Sequence, residues 1–497
     1  MADDQCRTRR RAYVETYGCQ MNISDGELME GVLEGDGYEI VSRPEEADVV
    51  LVNTCAIREH AERRVLGRVA QLNGLKEARP DMVIGVTGCM AQRMGPLLLE
   101  RAPWVDLVMG PDGYRGLPDQ LRRIESGNAR TSPGPEAFAG QARAAATGTS
   151  VLRRDGGPGG DGGDAPSGGN GKRRIQLAVV ELDTGENYEG LEQRRGSGVA
   201  AWVPVQRGCD HRCTFCIVPY VRGPEKNRSP SEVLDEVAGI AASGVTEVTL
   251  LGQTVNSYRV DGWRFPRLLR AVARVPGIRR VRFTSPHPSD VTEELADVMA
   301  EEPAVCEQLH LPVQSGSDRV LKRMLRRYTV AEFLDTVHMV RSRVPDVALS
   351  TDVIVAFPGE TDEDFQETLD LMRAVRFDDA FTYKYSPREG TPATRMPPEW
   401  SVEPGVAQAR LETLIQVARA VQAEINAAEV GRVAEVLVER EAREPGEVLG
   451  RTRRNKVVAF PGDAAWIGRY RRVRLDRTTG STFVGSARVE PAGVAGA

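Results

Sequence analysis

Residues 207–223, RGCDHRCTFCIVPYVRG, form the stretch from which the fold of the central region can be worked out. Three cysteines, Cys209, Cys213 and Cys216, stand there with C-x₃-C-x₂-C spacing, and the residues AWVPVQ before them predict a β-strand. Three soft thiolates on one short loop suit a metal that prefers sulfur ligands. The loop is therefore a candidate metal centre at the carboxyl end of a predicted strand.

The sequence around this loop alternates between predicted strands and predicted helices, from about residue 199 to residue 410. Helical segments such as SEVLDEVAGIAASG lie between the strands. Six such units predict a partial parallel (β/α)₆ barrel, in which chemistry takes place at the carboxyl ends of the strands. The six strand candidates are AWVPVQ, VTEVTLLG, RRVRFTS, CEQLHLPV, DVALSTDVIVAF and DAFTYKYS.

A second set of cysteines lies in an amino-terminal region, residues 13–124, that also alternates and predicts an α/β domain with a parallel sheet. Cys19, Cys55 and Cys89 each follow a predicted strand. Because the carboxyl ends of parallel strands share one edge of a sheet, the three sulfurs are expected to converge. Three small buried core residues are the structural alternative, and a second metal cluster is the functional interpretation.

Two further regions differ in composition. Residues 131–174 contain 12 glycines and four prolines, which predicts a flexible insertion without chemistry. After a predicted helix over 408–429, five short strands predict a small all-β barrel. The domains expected are therefore 11–130, an amino-terminal α/β domain; 131–174, the glycine-rich insertion; 195–425, the barrel core; and 428–491, the small barrel.

The carboxyl-terminal barrel is basic, although the whole chain of 497 residues has a formal net charge of −6. Residues 430–490 contain 13 Lys and Arg against 8 Asp and Glu. Basic side chains interleaved with Phe460, Trp466 and Tyr470 indicate an RNA-binding module, and a solvated charged face is the alternative. The basic residues expected to bind RNA are Arg451, Arg453, Arg454 and Lys456.

The composition excludes several other classes. No apolar run approaches the roughly 18 residues of a membrane span, and the first residues lack the apolar core of a secretory signal, so we expect a cytoplasmic protein that does not contact a membrane. Eight cysteines in such a chain favour metal binding over disulfides. A zinc loop completed by His211 or a distant residue is one possibility; a [4Fe–4S] cluster, whose three cysteines leave one iron open, is the other.

The cysteine loop resembles the radical S-adenosylmethionine superfamily, whose signature is C-x₃-C-x-aromatic-C, with Phe215 at the aromatic position. The resemblance implies that the open iron binds S-adenosylmethionine and that one electron from the cluster cleaves it to a 5′-deoxyadenosyl radical. A low-potential electron donor is then a necessary partner. No catalytic residue beyond the clusters is implied.

The segments TYGCQMNISDGE, NTCAIREHAERR and TGCMAQR resemble the amino-terminal domain of the methylthiotransferases, and the carboxyl-terminal barrel resembles their TRAM domain. Gln20, Met21 and Asn22 after the first cysteine are similar to the tRNA-2-methylthio-N6-dimethylallyladenosine synthase branch. That branch implies two [4Fe–4S] clusters, with sulfur delivered through the auxiliary cluster on Cys19, Cys55 and Cys89. It also implies methylthiolation of C2 of N6-isopentenyladenosine at position 37, in the anticodon arm of tRNA.

Two alternatives remain open at this point. One is a methylthiotransferase acting on N6-threonylcarbamoyladenosine tRNA or on a ribosomal protein. The other is a metal-stabilised RNA-binding protein without turnover. The sequence does not determine the oligomeric state, for which a monomer is the expectation.

The remaining candidate residues are assigned by their position alone. Polar residues at predicted strand ends, together with the aromatic residue of the loop, are expected to bind the cofactor, although each could equally be a turn cap. The expected cofactor-binding residues are Phe215, Gln253, Ser285, Gln314, Thr351 and Asp352. Three basic residues after the loop, Arg222, Lys226 and Arg228, are expected to contact tRNA phosphates, and a solvated loop is the alternative.

Overall fold

The structure, a computed structural model, describes residues 9–56, 59–126, 149–153, 175–196 and 198–487, with only the backbone at 59–63 and 149–153. Within these residues no helix is long and apolar enough to cross a membrane. The chain forms two compact units. The first comprises Met1–Gly196, Gly208–Asp210 and Ile217–Lys226, and the second comprises Ser197–Arg207, His211–Cys216 and Asn227–Ala497.

The first unit is built on a seven-stranded sheet. Its strands are β1 (Arg11–Tyr17), β2 (Glu39–Ile40), β3 (Val49–Thr54), β4 (Val83–Gly88), β5 (Leu107–Met109), β6 (Thr149–Arg153) and β7 (Ile175–Val179). Its helices are α1 (Gln20–Gly35), α2 (Glu59–Ala78), α3 (Cys89–Met94), α4 (Pro96–Arg101), α5 (Leu117–Ser126) and α6 (Val218–Val221). The strand order is β2-β1-β3-β4-β5-β7-β6, and every neighbouring pair is parallel except β6 with β7.

The central strands of this sheet are covered on both faces, which is why their sequences are almost wholly apolar. All six residues of β3 are buried. Val50 and Val52 point into one apolar core, whereas Val49 and Leu51 point into the other, as the two-residue period of a strand requires. The α/β domain with a parallel sheet that the sequence predicts is confirmed.

Part of the glycine-rich insertion contradicts its prediction. Strand β6 lies inside residues 131–174 and pairs antiparallel with β7 along five residues. The sequence TSVLR contains β-branched and apolar residues next to each other, which favours a strand. Residues 127–148 and 154–174 lie outside the described part of the chain.

The second unit contains the six predicted parallel strands, in two three-stranded sheets. One sheet has the order β14-β11-β8, and the other has the order β15-β16-β17. The strands are β8 (Ala200–Pro204), β11 (Glu247–Leu251), β14 (Arg280–Phe283), β15 (Gln308–His310), β16 (Ala348–Val355) and β17 (Asp379–Lys384). Short strands are β9 (Gln206–Arg207), β10 (Lys226–Asn227), β12 (Arg259–Val260) and β13 (Trp263–Arg264).

Helices separate these parallel strands and bury their apolar sides against them in one continuous core. They are α7 (Pro230–Ala242), α8 (Phe265–Ala273), α9 (Glu293–Glu301), α10 (Asp318–Arg323), α11 (Val330–Arg343) and α12 (Asp362–Val375). An isolated parallel bridge between Val281 and Val305 connects β14 with the segment that leads into β15. The partial (β/α)₆ barrel is confirmed.

A long helix, α13 (Pro404–Glu429), leads into a closed five-stranded barrel of order β18-β19-β20-β22-β21. The strands are β18 (Val433–Glu441), β19 (Glu447–Thr452), β20 (Val457–Pro461), β21 (Tyr470–Thr478) and β22 (Thr482–Ala487). Alternate residues point inward and fill the small barrel with valines and the rings of Phe460 and Phe483. All five strands agree with the strands predicted from the sequence.

Candidate functional site

Cys19, Cys55 and Cys89 lie at one edge of the amino-terminal sheet. The last residues of their three strands are register partners, because Tyr17 pairs with Thr54 and Thr54 pairs with Gly88. Cys55 and Cys89 come directly after their strands and Cys19 comes two residues after its own. The convergence predicted from the parallel strands is therefore present.

Two glycines allow the chain to turn immediately before these cysteines. Gly18 has a φ of +141° and Gly88 has a φ of +93°, in the region that favours glycine. A Cβ on Gly18 would lie 2.6 Å from the Cβ of Cys55, and one on Gly88 would lie 2.4 Å from the carbonyl oxygen of Thr54. The backbone thus approaches a neighbouring strand end too closely for any side chain.

The three thiols have different surroundings. A hydrogen bond from Cys55 lowers the pKa of Cys19 to about 6, against the effect of burial, and the positive charge of Arg222 acts in the same direction. The Cys19 thiol also lies 3.3 Å from Oδ1 of Asn22. Burial raises the pKa of the Cys89 thiol, although Arg222 opposes this. The pKa values of Cys19 and Cys89 are thus shifted in opposite directions.

A buried ion pair lies beside Cys89. The Arg222 guanidinium donates from Nη1 to Oδ1 of Asp25 at 3.2 Å and from Nη2 to Oδ2 of the same carboxylate. Its Nε donates to the Sγ of Cys89 at 3.1 Å. Arg222 and Asp25 have exposed side-chain fractions of only 2% and 3%.

This set of groups fits an iron–sulfur cluster better than a compact single-ion site. Cys19, Cys55 and Cys89 form no disulfides, and thiolates are the ligands that such clusters use. Tyr114, in the same unit, is fully buried, and its hydroxyl has no hydrogen-bond partner among the described residues. The fit therefore rests on the chemistry of the three thiol donors.

In the second unit, the end of the C-x₃-C-x₂-C loop is pinned by backbone hydrogen bonds. The amide of Thr214 donates to the carbonyl of Met324 at 3.0 Å, and its hydroxyl donates to the carbonyl of Arg323 at 2.9 Å. The amide of Cys216 donates to the carbonyl of Cys213 at 3.0 Å. The segment from Cys213 to Cys216 is therefore held in a tight turn.

Phe215 anchors the same turn through its ring. It packs edge-on against Phe357 with 6.3 Å between ring centroids, inside an apolar cluster that includes Val320 and Met324. Arg326 approaches the Sγ of Cys213 at 3.6 Å through Nη1 and donates to the carbonyl of Pro312 at 2.9 Å. The described contacts of Phe215 are thus with the protein's own apolar residues.

Backbone strain marks the strand ends of this unit. Ser285, Gln314 and Ala356 have φ values of +56°, +71° and +58°, which are uncommon for residues other than glycine. They follow β14, β15 and β16 near their carboxyl ends, and such strain is concentrated at functional sites. Two of the three are residues that the sequence assigns to cofactor binding.

The loop that carries Gln314 is fixed to helix α12. The Ser317 hydroxyl donates to Asp364 at 2.6 Å, and the amide of Gly316 donates to the hydroxyl of Thr368 at 2.9 Å. A Cβ on Gly316 would lie 2.5 Å from the Cα of Thr368. The small residues of QSGS are therefore needed for close packing, a role that reasoning from strand ends missed.

The other predicted cofactor residues divide into two groups. Gln253, which follows β11, donates its amide to Oε1 of Gln206 at 2.7 Å, and Asp352 lies 3.4 Å from Nε2 of His310 on a partly exposed face. Thr351 is fully buried. Its hydroxyl donates to the carbonyl of Leu311 at 2.8 Å and accepts from the amide of Val313 at 3.0 Å. Its prediction as a cofactor contact is wrong, because these backbone groups already use the hydroxyl.

His211, which the sequence offers as a possible zinc ligand, lies in the same unit and forms a pair with His287. The rings of His211 and His287 stack with 3.8 Å between centroids, and Nε2 of His211 lies 3.1 Å from Oδ2 of Asp290. Burial lowers the pKa of His287 to about 2, and the positive charge of Arg326 adds to this. Among the described residues this is the one group whose ligand atoms lie close enough for a single ion, and it contains no cysteine. The described partners of His211 are thus His287 and Asp290.

The three basic residues after the cysteine loop do not face solvent. Arg222 is paired with Asp25 as described, and Lys226 lies 2.9 Å from Asp112 with a side chain 5% exposed. Arg228 forms ion pairs with Glu232 and Glu236. Their prediction as phosphate contacts is wrong, because buried cations already neutralised by carboxylates have neither free charge nor access.

The first basic cluster of the small barrel is also largely paired. Lys456 is buried and lies 2.8 Å from Asp378, and Arg454 pairs with both Asp378 and Glu429. Arg453 forms a fork with Glu307 at 2.8–3.1 Å. These carboxylates lie outside the five strands, so the basic cluster attaches the small barrel to the rest of its unit. The assignment of Arg453, Arg454 and Lys456 to RNA binding is corrected accordingly. Arg451 is more exposed and pairs with Glu439 within the barrel.

Exposed basic residues occur instead on strand β21. Arg472 and Arg474 point to solvent, alternating with the buried residues Val473 and Leu475. Arg469, just before the strand, is exposed as well, and Arg471 lies over the ring of Trp466 at 4.6 Å. The outer face of β21 therefore carries exposed basic side chains, of which Arg474 lies 3.6 Å from the carboxylate of Asp476.

Three family models match the chain. They are UPF0004, an uncharacterized protein family, over residues 11–110; the radical SAM superfamily over residues 203–372; and the TRAM domain over residues 427–487. The second match agrees with the C-x₃-C-x₂-C loop and the parallel strands. It implies S-adenosylmethionine and [4Fe–4S] clusters as cofactors.

Relatives extend the match over almost the whole chain. A tRNA-2-methylthio-N(6)-dimethylallyladenosine synthase from Thermoanaerobacter sp. (strain X514) is 41% identical over 95% of this chain and 92% of its own. One of the same name from Acidothermus cellulolyticus (strain ATCC 43068 / DSM 8971 / 11B) is 44% identical over 92% of this chain and 86% of its own. The chain belongs to the tRNA-2-methylthio-N(6)-dimethylallyladenosine synthase family. The resemblance stated from the three cysteine segments is confirmed at the level of the family.

Solved structures support the fold of this family member. The radical S-adenosylmethionine methyltransferase TsrM from Kitasatospora setae, solved with cobalamin and a [4Fe–4S] cluster, has a TM-score of 0.52 at 16% identity, covering 78% of this chain and 77% of its own. The cobalamin-dependent radical enzyme OxsB has a TM-score of 0.51 at 13% identity, covering 73% of this chain and 52% of its own. At these identities the likeness concerns the fold.

Proposed function

We propose that this protein methylthiolates C2 of N6-isopentenyladenosine at position 37 of tRNA, giving 2-methylthio-N6-isopentenyladenosine. Support comes from the family, whose named members match 95% of the chain at 41% identity. The substrate is the isopentenylated anticodon arm. The enzyme works in the cytoplasm as a monomer with a low-potential electron donor.

The observation that carries this proposal is the second cysteine triplet at register-matched strand ends. Cys19, Cys55 and Cys89 would hold the auxiliary [4Fe–4S] cluster. Cys209, Cys213 and Cys216 would hold the radical SAM cluster. When bound, these clusters and S-adenosylmethionine supply the radical chemistry and the sulfur site that insertion into an unactivated C–H bond requires. A metal-stabilised RNA-binding protein would have no use for two such triplets.

The residues of the second unit orient this chemistry. Phe215 fixes the cysteine turn through its apolar contacts. Gln253, Ser285 and Gln314 follow β11, β14 and β15, and Asp352 lies within β16; these four residues would contact S-adenosylmethionine or the target adenosine. The tRNA backbone would lie on the outer face of β21, where Arg472 and Arg474 are exposed. Because a base within a stacked loop cannot reach a radical, the target nucleotide must leave the stack.

The test is nucleoside mass spectrometry of tRNA from cells that lack this gene. We expect loss of the 2-methylthio group while the isopentenyl group stays, and recovery with the wild-type gene but not with a Cys213→Ala gene. If the 2-methylthio group were lost from N6-threonylcarbamoyladenosine instead, the enzyme would be a methylthiotransferase for that nucleoside. Unchanged tRNA would contradict the proposal and direct attention to a ribosomal protein.

A further inference from the structure

The ion pair of Arg222 with Asp25 is unusual in its surroundings. A charge removed from water costs several kcal/mol unless its partner and its remaining hydrogen bonds compensate. Asp25 accepts two of the guanidinium's hydrogen bonds, and the third direction, from Nε, leads to the Sγ of Cys89 at 3.1 Å. The guanidinium of Arg222 thus binds the Asp25 carboxylate through its two Nη atoms and the Cys89 sulfur through Nε.

The contact with sulfur has little competition from solvent. Cys89 belongs to an apolar cluster with Ala56, Ile217 and Val221, all of them buried. Electrostatic interactions are stronger in such surroundings than at a surface. The Tyr114 hydroxyl interacts electrostatically with Asp25, Arg222 and Cys89. It has no hydrogen-bond partner among the described residues.

We infer that Arg222 is a positioning residue for the auxiliary cluster, which orients the Cys89 sulfur through Nε and stabilises the reduced cluster with its positive charge. The inference rests on the proposed function, in which Cys89 is a ligand of that cluster. Reduction adds one electron and one negative charge, so a nearby cation and a hydrogen bond to the ligand sulfur raise the reduction potential. Asp25 fixes the guanidinium and moderates its charge.

The two members of the pair should therefore shift the potential in opposite directions. Arg222→Gln removes the cation and leaves Asp25 uncompensated, so the potential falls. Asp25→Asn keeps the shape of the partner but leaves the cation uncompensated, so the potential rises. Arg222→Lys keeps the charge but loses the fork, and its effect should be intermediate. A purely structural role for the pair would not produce shifts of opposite sign.

The experiment is a redox titration of the reconstituted full-length chain in a Cys209→Ala, Cys213→Ala, Cys216→Ala background, so that the auxiliary cluster alone is observed. We expect Arg222→Gln to shift the one-electron equilibrium about tenfold toward the oxidised cluster, which is about 59 mV. Should this variant fail to fold, Arg222→Lys and Asp25→Asn decide the question. Equal potentials in all variants that retain the cluster would overturn the inference.

Two controls separate this inference from the proposed function. Arg79→Gln breaks an ion pair with Asp48, just before β3 and so at the opposite edge of the same sheet; it should leave the potential unchanged. If Arg79→Gln shifted the reduction potential as much as Arg222→Gln does, the inference would be overturned. Cys89→Ala in the same background should lose the remaining cluster. If it kept its full iron content, the ligand set of the proposed function would be wrong, whatever Arg222 does.

Discussion

Arg222 shows how different the roles of similar basic residues can be in this chain. Arg222, Lys226 and Arg228 stand in a short basic stretch that by composition belongs on a surface, yet each is buried against carboxylates. Asp25 is 197 residues away from Arg222 in sequence, so the partner cannot be identified from local context. Arg472 and Arg474, in contrast, face solvent because strand periodicity places them opposite the buried residues of β21.

Gly88 should be essential at the edge that carries the cysteines. Gly88→Ala places a Cβ 2.4 Å from the carbonyl of Thr54 at a φ of +93°, so we expect a loss of stability of about 2 kcal/mol or more and a lower iron content. Thermal unfolding and iron analysis measure both. Gly74→Ala is the control, since Gly74 lies in α2 with open space around its Cα. The control should be neutral or slightly stabilising, and equal losses in both variants would contradict this account.

Helix α12 illustrates how a single element supports the loop that carries Gln314. Thr361 and Asp364 form a capping box at its first turn, and Asp364 also accepts from Ser317 and pairs with Arg319. The same carboxylate thus caps the amino-terminal end of the helix and holds the loop. The sequence can indicate the capping box of Thr361 and Asp364, but it does not show that Asp364 also binds Ser317 and Arg319.

Asp364 should make the stability of this element dependent on pH. Although burial alone would raise it, the hydrogen bonds of Arg319 and Ser317 hold the pKa of Asp364 at about 2. A depressed pKa means that the stabilisation is present above the ordinary aspartate range and is lost as the pH falls toward 2. Asp364→Asn should lower the free energy of unfolding by about 2 kcal/mol at neutral pH, measured by denaturant melts. Asp370→Asn, exposed on the same helix, should cost less than about 0.5 kcal/mol; equal effects would refute the assignment.

Strand β21 should carry the phosphate contacts. We expect Arg472→Gln with Arg474→Gln to weaken tRNA binding and to reduce the slope of log affinity against log salt by about one unit per arginine. The matched control, Arg453→Gln with Arg454→Gln, removes the same charge from the ion-paired cluster. It should lower the melting temperature and leave the salt slope unchanged. A reduced slope in the control would instead restore the original assignment of RNA binding.

At the scale of the whole molecule, the chain combines an acidic total charge with a basic carboxyl-terminal barrel. The formal net charge is −6, although residues 430–490 carry an excess of basic over acidic residues. Part of that positive charge is neutralised within the second unit, where Arg453, Arg454 and Lys456 form ion pairs with carboxylates outside the small barrel. What is left for RNA is a smaller set of residues than the composition indicates.

The two cysteine triplets should act as separate metal centres. Anaerobically reconstituted wild-type protein is expected to contain about eight irons and to absorb broadly in the visible range. Replacing Cys19, Cys55 and Cys89 together with alanine should leave about half of the iron and keep cleavage of S-adenosylmethionine, while methylthiolation is lost. Replacing Cys209, Cys213 and Cys216 should also leave half but abolish cleavage. Full iron in either triple variant, or zinc alone in the wild type, would contradict the two-cluster assignment.

The sequence by itself determined the alternation of the main strands and helices and placed both cysteine triplets after predicted strands, because periodicity is a local feature that the chain carries into any fold. It also showed that Phe215 belongs to the cysteine loop. It missed strand β6, whose pairing with β7 depends on a distant partner in the sheet. Only the tertiary structure decided that Arg222 contacts Cys89, that Lys456 is buried and that the Thr351 hydroxyl serves the backbone. The physical reason is that burial and charge pairing depend on partners tens to hundreds of residues away, which pack together only when the sheets and helices assemble.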